Sequence, residues 1–328
     1  MLYLHHILQK PKMSHAYTDA LATQAVYADL SDVGLIAFQG DDTTTFLQGQ
    51  LTNDARQLAQ QQAQFSGFCS PKGRLLGSFL LWGQADSTYL QLPAELQPSL
   101  QKRLSMYILR AKVKARDARE ELVRIGVAGH RAAELVKVIA GCLPDADMKT
   151  AEAGSNLVIR FSAERYQIIA PATDKEYLLA QLSQQHAVLV DEAYWQWLEI
   201  HAGVPTITLA TQEQFVPQMV NFDLTNSVNF QKGCYTGQEI VARTQYLGKL
   251  KRRMYLVHSD VAMAAGDEVY SPDMEGQAMG MVVNAQPALD GGWDALVVMQ
   301  ISSVATQPLH LKSLDGALLS LQDLPYAL

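Results

Sequence analysis

Lys232-Gly233-Cys234-Tyr235-Thr236-Gly237-Gln238-Glu239 is the most informative stretch of the sequence, because it places a cysteine beside a lysine just before a helix start. Thr236 and Glu239 have the spacing of a capping box, in which the two side chains satisfy free N–H groups at the first turn of a helix. The pattern therefore predicts a helix that begins near Gly237 and continues through residues 240 to 242.

The position of Cys234 indicates a reactive thiol. It precedes the positive end of the predicted helix, and Lys232 adds a full positive charge nearby, so both features favour the thiolate form. The alternative is burial, since a free cysteine often fills space in a core without reacting. The flanking glycines let the backbone approach a ligand closely, which favours the functional interpretation.

Length and composition are typical of an ordinary soluble globular chain. The 328 residues are enough for two or three domains, and a formal charge of -7 with a pI near 5.6 argues against a protein that is basic throughout. Contact with nucleic acid would need a local basic patch, for which residues 102 to 119 and 249 to 253 qualify. A solvated face without a ligand is the alternative for both segments.

The cysteines and the N-terminal residues indicate the cellular compartment. Cys69, Cys142 and Cys234 are widely separated and odd in number, and no C-x-x-C or H-E-x-x-H pair occurs, so neither a disulfide framework nor a self-contained metal site is predicted. Lys10 and Lys12 follow a short apolar start without a small-residue cleavage site, so we expect no secretory signal. No apolar run is long enough to span a bilayer. We therefore expect a cytoplasmic protein without a membrane partner.

Strand and helix patterns interleave without a repeat, which predicts an α+β protein with two mixed α/β domains. Residues 65 to 69 and 75 to 82 have the pattern of two strands joined by a tight Pro-Lys-Gly turn. Residues after Gly248 have the pattern of a small β-barrel or sandwich. The expected domains are a discontinuous N-terminal α/β domain (residues 1 to 115), a second α/β domain with the cysteine motif (116 to 245) and a C-terminal β-barrel (246 to 328).

A helix with well-marked ends is predicted over residues 191 to 202, with Gly203 at its C-terminal cap and Pro205 just beyond. Trp195 and Trp197 lie two positions apart on it, so they cannot share a face, and one of them could meet a ligand. Packing in the core is the alternative for each tryptophan. The absence of a G-x-G-x-x-G or Walker pattern gives no support to nucleotide binding of the common kinds.

Residues 230 to 243, which read Phe-Gln-Lys-Gly-Cys-Tyr-Thr-Gly-Gln-Glu-Ile-Val-Ala-Arg, resemble the motif of the YgfZ family. The resemblance extends in order to Phe-Leu-Gln-Gly-Gln-Leu-Thr-Asn-Asp at 46 to 54, Pro-Lys-Gly-Arg at 71 to 74 and Ala-Gly-Val-Pro at 202 to 205. YgfZ proteins are related to the folate-using aminomethyltransferase of the glycine cleavage system. The resemblance therefore implies an aminomethyltransferase-like three-domain ring around a central folate-binding channel, with tetrahydrofolate or a derivative as the ligand.

The resemblance also implies a function: a folate-binding accessory protein that supports the assembly or repair of iron-sulfur clusters in selected enzymes, including ones that modify tRNA. Its expected partners are those client enzymes or cluster-assembly proteins, with weak or indirect tRNA contact and no need for classical catalysis. By motif, Cys234 is the family cysteine, and with Lys232 beside it we expect the reactive site there. Tyr235, on the other side of the cysteine, and Trp195, which matches a tryptophan that lines the folate site, are the expected folate-binding residues. Val33 stands where the family pattern has another folate-contacting tryptophan, which implies weaker or shifted folate binding.

A tetrahydrofolate-dependent one-carbon transferase is the alternative function. The related aminomethyltransferases carry an acidic pair after the hairpin turn, where this sequence has Leu76 and Gly77, so the expected acid or base is missing there. Among the histidines, His201 is the first to test. Cys234 then has two open roles, a transient ligand or thiol-exchange partner during cluster transfer, or part of the wall of the folate channel. One thiolate cannot hold a cluster that takes four ligands, so the first role needs a second protein.

Overall fold

The computed structural model describes residues 15 to 328, with side chains from residue 19 onward. Lys10 and Lys12, on which the expectation about a secretory signal rests, lie outside the described residues. The helices are α1 (His15–Thr23), α2 (Thr43–Gln48), α3 (Gln97–Ser105), α4 (Ala132–Ala140), α5 (Lys175–Gln184), α6 (Glu192–His201), α7 (Gln238–Tyr246) and α8 (Ile301–Val304). The strands are β1 (Val26–Asp29), β2 (Gly34–Gln39), β3 (Gln64–Cys69), β4 (Leu75–Gln84), β5 (Ser87–Leu92), β6 (Lys114–Asp117), β7 (Leu122–Ala128), β8 (Thr150–Ala153), β9 (Asn156–Ser162), β10 (Arg165–Pro171), β11 (Val188–Leu189), β12 (Arg252–Ser259), β13 (Glu268–Tyr270), β14 (Gly280–Pro287), β15 (Trp293–Gln300), β16 (His310–Leu311) and β17 (Ser320–Gln322).

These strands form three sheets, and the fold is mixed α/β as predicted. The first sheet has the order β3-β4-β5-β2-β6, the second β11-β1-β7-β10-β9-β8 and the third β16-β13-β14-β15-β12-β17. The pairing is antiparallel except between β1 and β11, which run parallel. The chain crosses between sheets early, because β1 lies in the second sheet and β2 lies in the first.

The predicted hairpin is confirmed as β3 and β4, which pair along most of their length. Its turn is closed by the N–H of Ser70, which donates to the carbonyl of Arg74, and by the N–H of Gly73, which donates to that of Ser70, both at 2.8 Å. Gly73 has a φ of +68°, a left-handed conformation that suits glycine. The sequence Ser-Pro-Lys-Gly therefore makes the tight turn that its Pro and Gly predict.

The predicted helix over residues 191 to 202 is also confirmed, as α6. Asp191 caps its start by accepting a hydrogen bond of 2.9 Å from the N–H of Tyr194. Gly203 follows its end with a φ of +66°, and the hydroxyl of Tyr326 donates to the Gly203 carbonyl at 3.0 Å. These caps fix which face of α6 is turned inward.

The helix after the cysteine motif begins at Gln238, close to the predicted start, but the predicted capping box is wrong. The N-cap is Gly237, with a φ of +83°, and no side chain caps the helix. Side-chain capping requires an extended N-cap residue. Here the hairpin turn packs against the helix start, and a Cβ on Gly237 would lie 2.3 Å from the Ser70 carbonyl oxygen. That contact forces a left-handed glycine at the N-cap position.

The third sheet holds the predicted C-terminal strands, but it forms a half-barrel rather than a barrel closed by strand pairing. Its edge strands, β16 and β17, lie at opposite ends of the strand order. The two edges approach each other where the segment just before β17 meets β16, through a bridge between His310 and Leu318 and backbone hydrogen bonds of 2.9 Å on either side of it. One face of this sheet carries an apolar core, and α6 packs against β14 and β15.

The three cysteines differ in their exposure to solvent. Cys69 is buried, Cys142 is half-buried and Cys234 is exposed, and all three are free thiols. Within residues 15 to 328, no helix combines the length and apolar character needed to cross a bilayer.

Replacing Gly237 with alanine tests the contact between the hairpin and the motif. We expect Gly237→Ala to lower the free energy of unfolding by about 1–3 kcal/mol, because its backbone is left-handed and its Cβ would meet the Ser70 carbonyl. Gly233→Ala is the matched control in the same loop, since nothing lies within 4 Å of a Cβ there. Urea denaturation followed by circular dichroism measures both variants. Equal stability of the two would contradict the proposed constraint.

Candidate functional site

A cavity of about 460 Å³ is lined by residues from or next to all three sheets. The first sheet contributes from β3, β4 and β5, the second through the loop after β1, and the third through β14, while α6 forms one wall. This volume is in the range of sites that hold small organic ligands. The cavity is therefore the natural candidate for a ligand site.

Helix α6 presents one continuous face to this cavity. Glu192, Trp195, Gln196 and Glu199 line it, and their spacing of three, four and seven positions places them on the same side of a helix. The Trp195 side chain is only 3% exposed, and a Cβ on Gly126 of β7 would lie 2.5 Å from its ring. The missing side chain at position 126 is therefore what makes room for Trp195.

Two carboxyl groups on this face are enclosed by protein. Burial raises the pKa of Glu199, against the effect of Arg165 and of the Trp195 indole, which favour the ionised form. Burial also raises the pKa of Glu192, whose Oε1 accepts a hydrogen bond of 2.6 Å from Gln196 Nε2. Both carboxyls therefore hold a proton more readily than they would in water.

Two polar atoms of cavity-lining residues have no hydrogen-bond partner. The indole nitrogen of Trp195 is buried and unpaired, since it approaches Glu199 without reaching hydrogen-bond geometry. The side-chain oxygen of Gln286 is unpaired too, while its nitrogen donates to Gln196. Buried polar groups are nearly always satisfied in folded proteins, so these atoms mark places where a ligand can bind.

The loop after β1 is held against the cavity by Arg124. This arginine is fully buried, and its Nη2 donates to the carbonyls of Leu30, Ser31 and Val33 at 3.1, 2.8 and 2.6 Å. Val33 is half-buried and lines the cavity, as Trp195 does. The structure thus brings together two of the positions that the family resemblance singles out, although valine offers no aromatic ring.

Lys232 occupies a different place, in the interior between the motif loop and the segment after α2. It is 5% exposed, and its Nζ donates to the carbonyls of Gln48, Leu51 and Asn53 at 2.7, 2.5 and 3.0 Å. Burial lowers its pKa to about 8. An ammonium group has three N–H donors, so all of them are used on backbone oxygens and none is left for the Cys234 sulfur.

Cys234 and Tyr235, which follow Gly233, have different surroundings. Tyr235 is 7% exposed, its ring centroid lies 5.0 Å from Lys232 Nζ, and burial raises its pKa. The side chain of Cys234 is exposed to solvent. Neither residue lines the cavity, whereas Thr225 and Ser227 on the same segment do. Residues 225 to 234 therefore run from the cavity wall to an exposed thiol.

His201 belongs to a polar cluster between α6 and the C-terminal sheet. Its Nε2 lies 2.8 Å from Asp294 Oδ2, which also accepts a hydrogen bond of 2.8 Å from Trp197 Nε1. The other carboxylate oxygen lies 2.8 Å from His258 Nδ1. This arrangement ties α6 to the sheet and does not pair His201 with Cys234. In the part of the chain that is described, no group of three or more His, Cys, Asp or Glu side chains is placed to hold a metal.

The two basic segments are partly paired within the protein. Arg116 and Arg119 form ion pairs with Glu121 and Asp117, each at 2.8 Å. Arg253 forms a bidentate pair with Asp223, at 2.6 and 2.7 Å. The exposed cations of the second segment are Lys249 and Lys251, which follow α7 directly.

The cavity carboxyls were missed from the sequence. Their signal was present, because Glu192 and Glu199 share a helix face with Trp195 at positions that the Asp191 cap fixes. Leu76 and Gly77, where the related enzymes have an acidic pair, are packed in the interior, and a Cβ on Gly77 would lie 2.6 Å from Leu100. In this chain, acidic groups reach the cavity from α6 instead.

Comparison with known proteins gives a consistent result. Residues 11 to 154 match the family model of the GCVT N-terminal domain. The tRNA-modifying protein YgfZ of Serratia proteamaculans (strain 568) is 32% identical over 305 residues, which cover 91% of this chain and 92% of that protein. Its counterpart in Photorhabdus laumondii is 32% identical over 307 residues with the same coverage.

A solved structure shares the fold. The glycine cleavage system aminomethyltransferase T from Bartonella henselae superposes with a TM-score of 0.75 at 19% sequence identity, covering 93% of this chain and 87% of that one. Identity at this level shows the fold alone. The sequence relatives, which are 32% identical and match over nearly their whole length, go further: this chain belongs to the YgfZ family.

Proposed function

We propose that this protein binds a reduced folate in the cavity and acts as an accessory protein for enzymes that modify tRNA. The observation that carries the proposal is the segment from 225 to 234, which lines the cavity at Thr225 and Ser227 and exposes the Cys234 thiol at its other end. A ligand inside and a partner outside would then contact one continuous piece of chain. The relatives named tRNA-modifying protein supply the link to tRNA modification.

The residues of the cavity fit a folate ring. A reduced pterin carries N–H donors and a carbonyl acceptor on one edge; the carboxyls of Glu192 and Glu199 can accept from such donors, and the unpaired Trp195 N–H can donate to such an acceptor. Phe65 and Phe79 provide apolar wall for the flat ring. A tetrahydrofolate, when bound, supplies a carrier for a one-carbon unit.

The arrangement of the sheets supports a ring around this cavity. Each sheet contributes to the wall or to the loops that form it, as a ring around the cavity would require. We include in the proposal that the sheets correspond to the three-part ring implied by the resemblance. The position of the ligand at the centre then explains why its contacts come from distant parts of the chain.

The exposed end of α7, the helix that follows Cys234 in the sequence, supports a role in contacting a partner. Tyr246 and Leu247, at the end of α7, are 67% and 85% exposed. Exposed apolar side chains are typical of a contact surface. The proposed partner is an iron-sulfur client enzyme or cluster-assembly protein, which would supply the ligands that one cysteine cannot.

Exposed basic side chains lie at the hairpin tip and on or just after α7. Lys72 and Arg74 are exposed at the tip of the hairpin, which packs against α7, and Arg243, Lys249 and Lys251 are exposed on or just after α7. Their charge would favour approach of a phosphate backbone. We therefore place the proposed weak or indirect contact with tRNA here.

Folate binding is tested by isothermal titration of the protein with tetrahydrofolate. We expect saturable binding by the parent and about tenfold weaker binding by Gly126→Ala, because the added methyl would displace the Trp195 ring. Gly83→Ala is the matched control, since its Cβ would meet nothing closer than 3.8 Å. No saturable binding by the parent would overturn the folate assignment.

The role of the thiol is tested in cells that lack the native protein. We expect Cys234→Ala to reduce the content of the dependent tRNA modification at least about tenfold, measured by mass spectrometry of digested tRNA, with folate affinity unchanged within about twofold, because the sulfur lies outside the cavity lining. Cys142→Ala is the control, a half-buried thiol whose sulfur donates to the Ala151 carbonyl. If Cys234→Ala supports tRNA modification as well as the parent does, the thiol has no role in it, and the loop serves only as part of the channel wall.

A further inference from the structure

The charged side chains that line the cavity are all acidic. Among the described residues these are Asp32, Glu95, Glu192 and Glu199, and no lysine, arginine or histidine joins them. Asp32 and Glu95 are exposed at the rim, whereas Glu192 and Glu199 are partly enclosed on α6. A ligand that enters this space therefore meets negative charge only.

Arg165 is the cation that acts on Glu199, but its hydrogen bond goes to a backbone carbonyl. Arg165 donates from Nη1 to the Leu198 carbonyl at 3.0 Å, and its guanidinium carbon lies 5.0 Å from the Phe161 ring centroid. It influences Glu199 through space, but no ion pair of the described residues joins the two. Glu192 likewise has a neutral partner, Gln196. The two enclosed carboxyls thus have one cation near them, Arg165, which forms an ion pair with neither in the described part of the chain.

A second observation marks this end of the cavity as facing a ligand. Trp195 is more than nine-tenths buried, and its indole N–H lacks a hydrogen-bond partner although it lies beside Glu199. A buried N–H without a well-formed hydrogen bond is costly in a folded protein, and so is a buried carboxyl whose cation acts on it only through space. A ligand that accepts from the indole and brings positive charge to the carboxyls satisfies both.

We propose that the cavity prefers folates whose one-carbon bridge makes the ring system cationic, as in 5,10-methenyltetrahydrofolate, over folates with a neutral ring. This inference rests on the proposed folate binding and specifies the form of the ligand. A neutral ring can donate hydrogen bonds to the two carboxyls but leaves a net negative charge there, because Arg165 is their one nearby cation, whereas a delocalised cation also offsets that charge. Glu199 is the principal determinant, because it is the more deeply enclosed of the two and lies beside Trp195.

The test compares two folates that differ in ring charge but carry the carbon at the same oxidation level. 5,10-Methenyltetrahydrofolate is the cation, and 5-formyltetrahydrofolate, which differs from it by the addition of water and the loss of a proton, has a neutral ring. Both have the same anionic glutamate end, so its effect cancels in the comparison. Stopped-flow tryptophan fluorescence gives both affinities before the methenyl ring hydrolyses. We expect the cation to bind at least about tenfold more tightly to the parent.

Variants then locate the source of the preference. Glu199→Gln is expected to reduce the ratio of the two affinities by about fivefold or more, and Glu192→Gln, a second cavity variant in case the first folds poorly, is expected to reduce it less. Glu120→Gln removes the same charge from an exposed position outside the cavity and is expected to keep the parent ratio.

The outcomes separate the two proposals. Equal affinities in the parent, tighter binding of the neutral folate, or an unchanged ratio in both cavity variants would overturn the preference while leaving folate binding intact. Binding of neither folate would overturn the proposed function, and the preference with it.

Discussion

The ammonium group of Lys232, held by three backbone carbonyls, is the interaction on which the motif loop depends. Its three N–H donors meet the carbonyls of residues 48, 51 and 53, so donor and acceptor numbers match. The attachment is reciprocal, because Thr52 Oγ1 donates to the Ser227 carbonyl at 2.8 Å and Asn53 Nδ2 donates to the Asn226 carbonyl at 2.7 Å. The motif is therefore positioned by a segment far away in the sequence.

The sequence predicted those features whose causes act over a few residues. The hairpin over β3 and β4 follows from its Pro-Lys-Gly turn, and α6 follows from the Asp191 cap and Gly203. The capping box failed because the Ser70 carbonyl, which is remote in sequence, approaches Gly237 and selects a left-handed conformation there. The same limit applies to Lys232: sequence spacing predicts a neighbour of the Cys234 thiol, because the carbonyls near residue 50 that accept its hydrogen bonds are remote in sequence.

The separation of the thiol from the cavity constrains how the protein can work. Cys234 is exposed and absent from the cavity lining, while Thr225 and Ser227 belong to it, and Lys232 is anchored between them. A ligand in the cavity is thus not placed to react with this sulfur. The cavity wall and the thiol belong to one segment, residues 225 to 234. A ligand that binds only the folded state stabilises that state, and with it the contacts that hold this segment in place. Ligand and partner can therefore be linked without meeting.

The acidic cavity gives this linkage an energetic basis. A carboxyl whose pKa is raised by folding keeps a proton that the unfolded chain releases. The free energy of unfolding therefore falls as the pH rises through the ordinary carboxyl range, and it stays lower above that range. Glu192 and Glu199 both have raised pKa values, and neither has an ion-pair partner among the described residues. They therefore reduce the stability of the ligand-free fold at neutral pH. A ligand that compensates their charge removes this cost, and the same event stabilises the segment that carries Cys234.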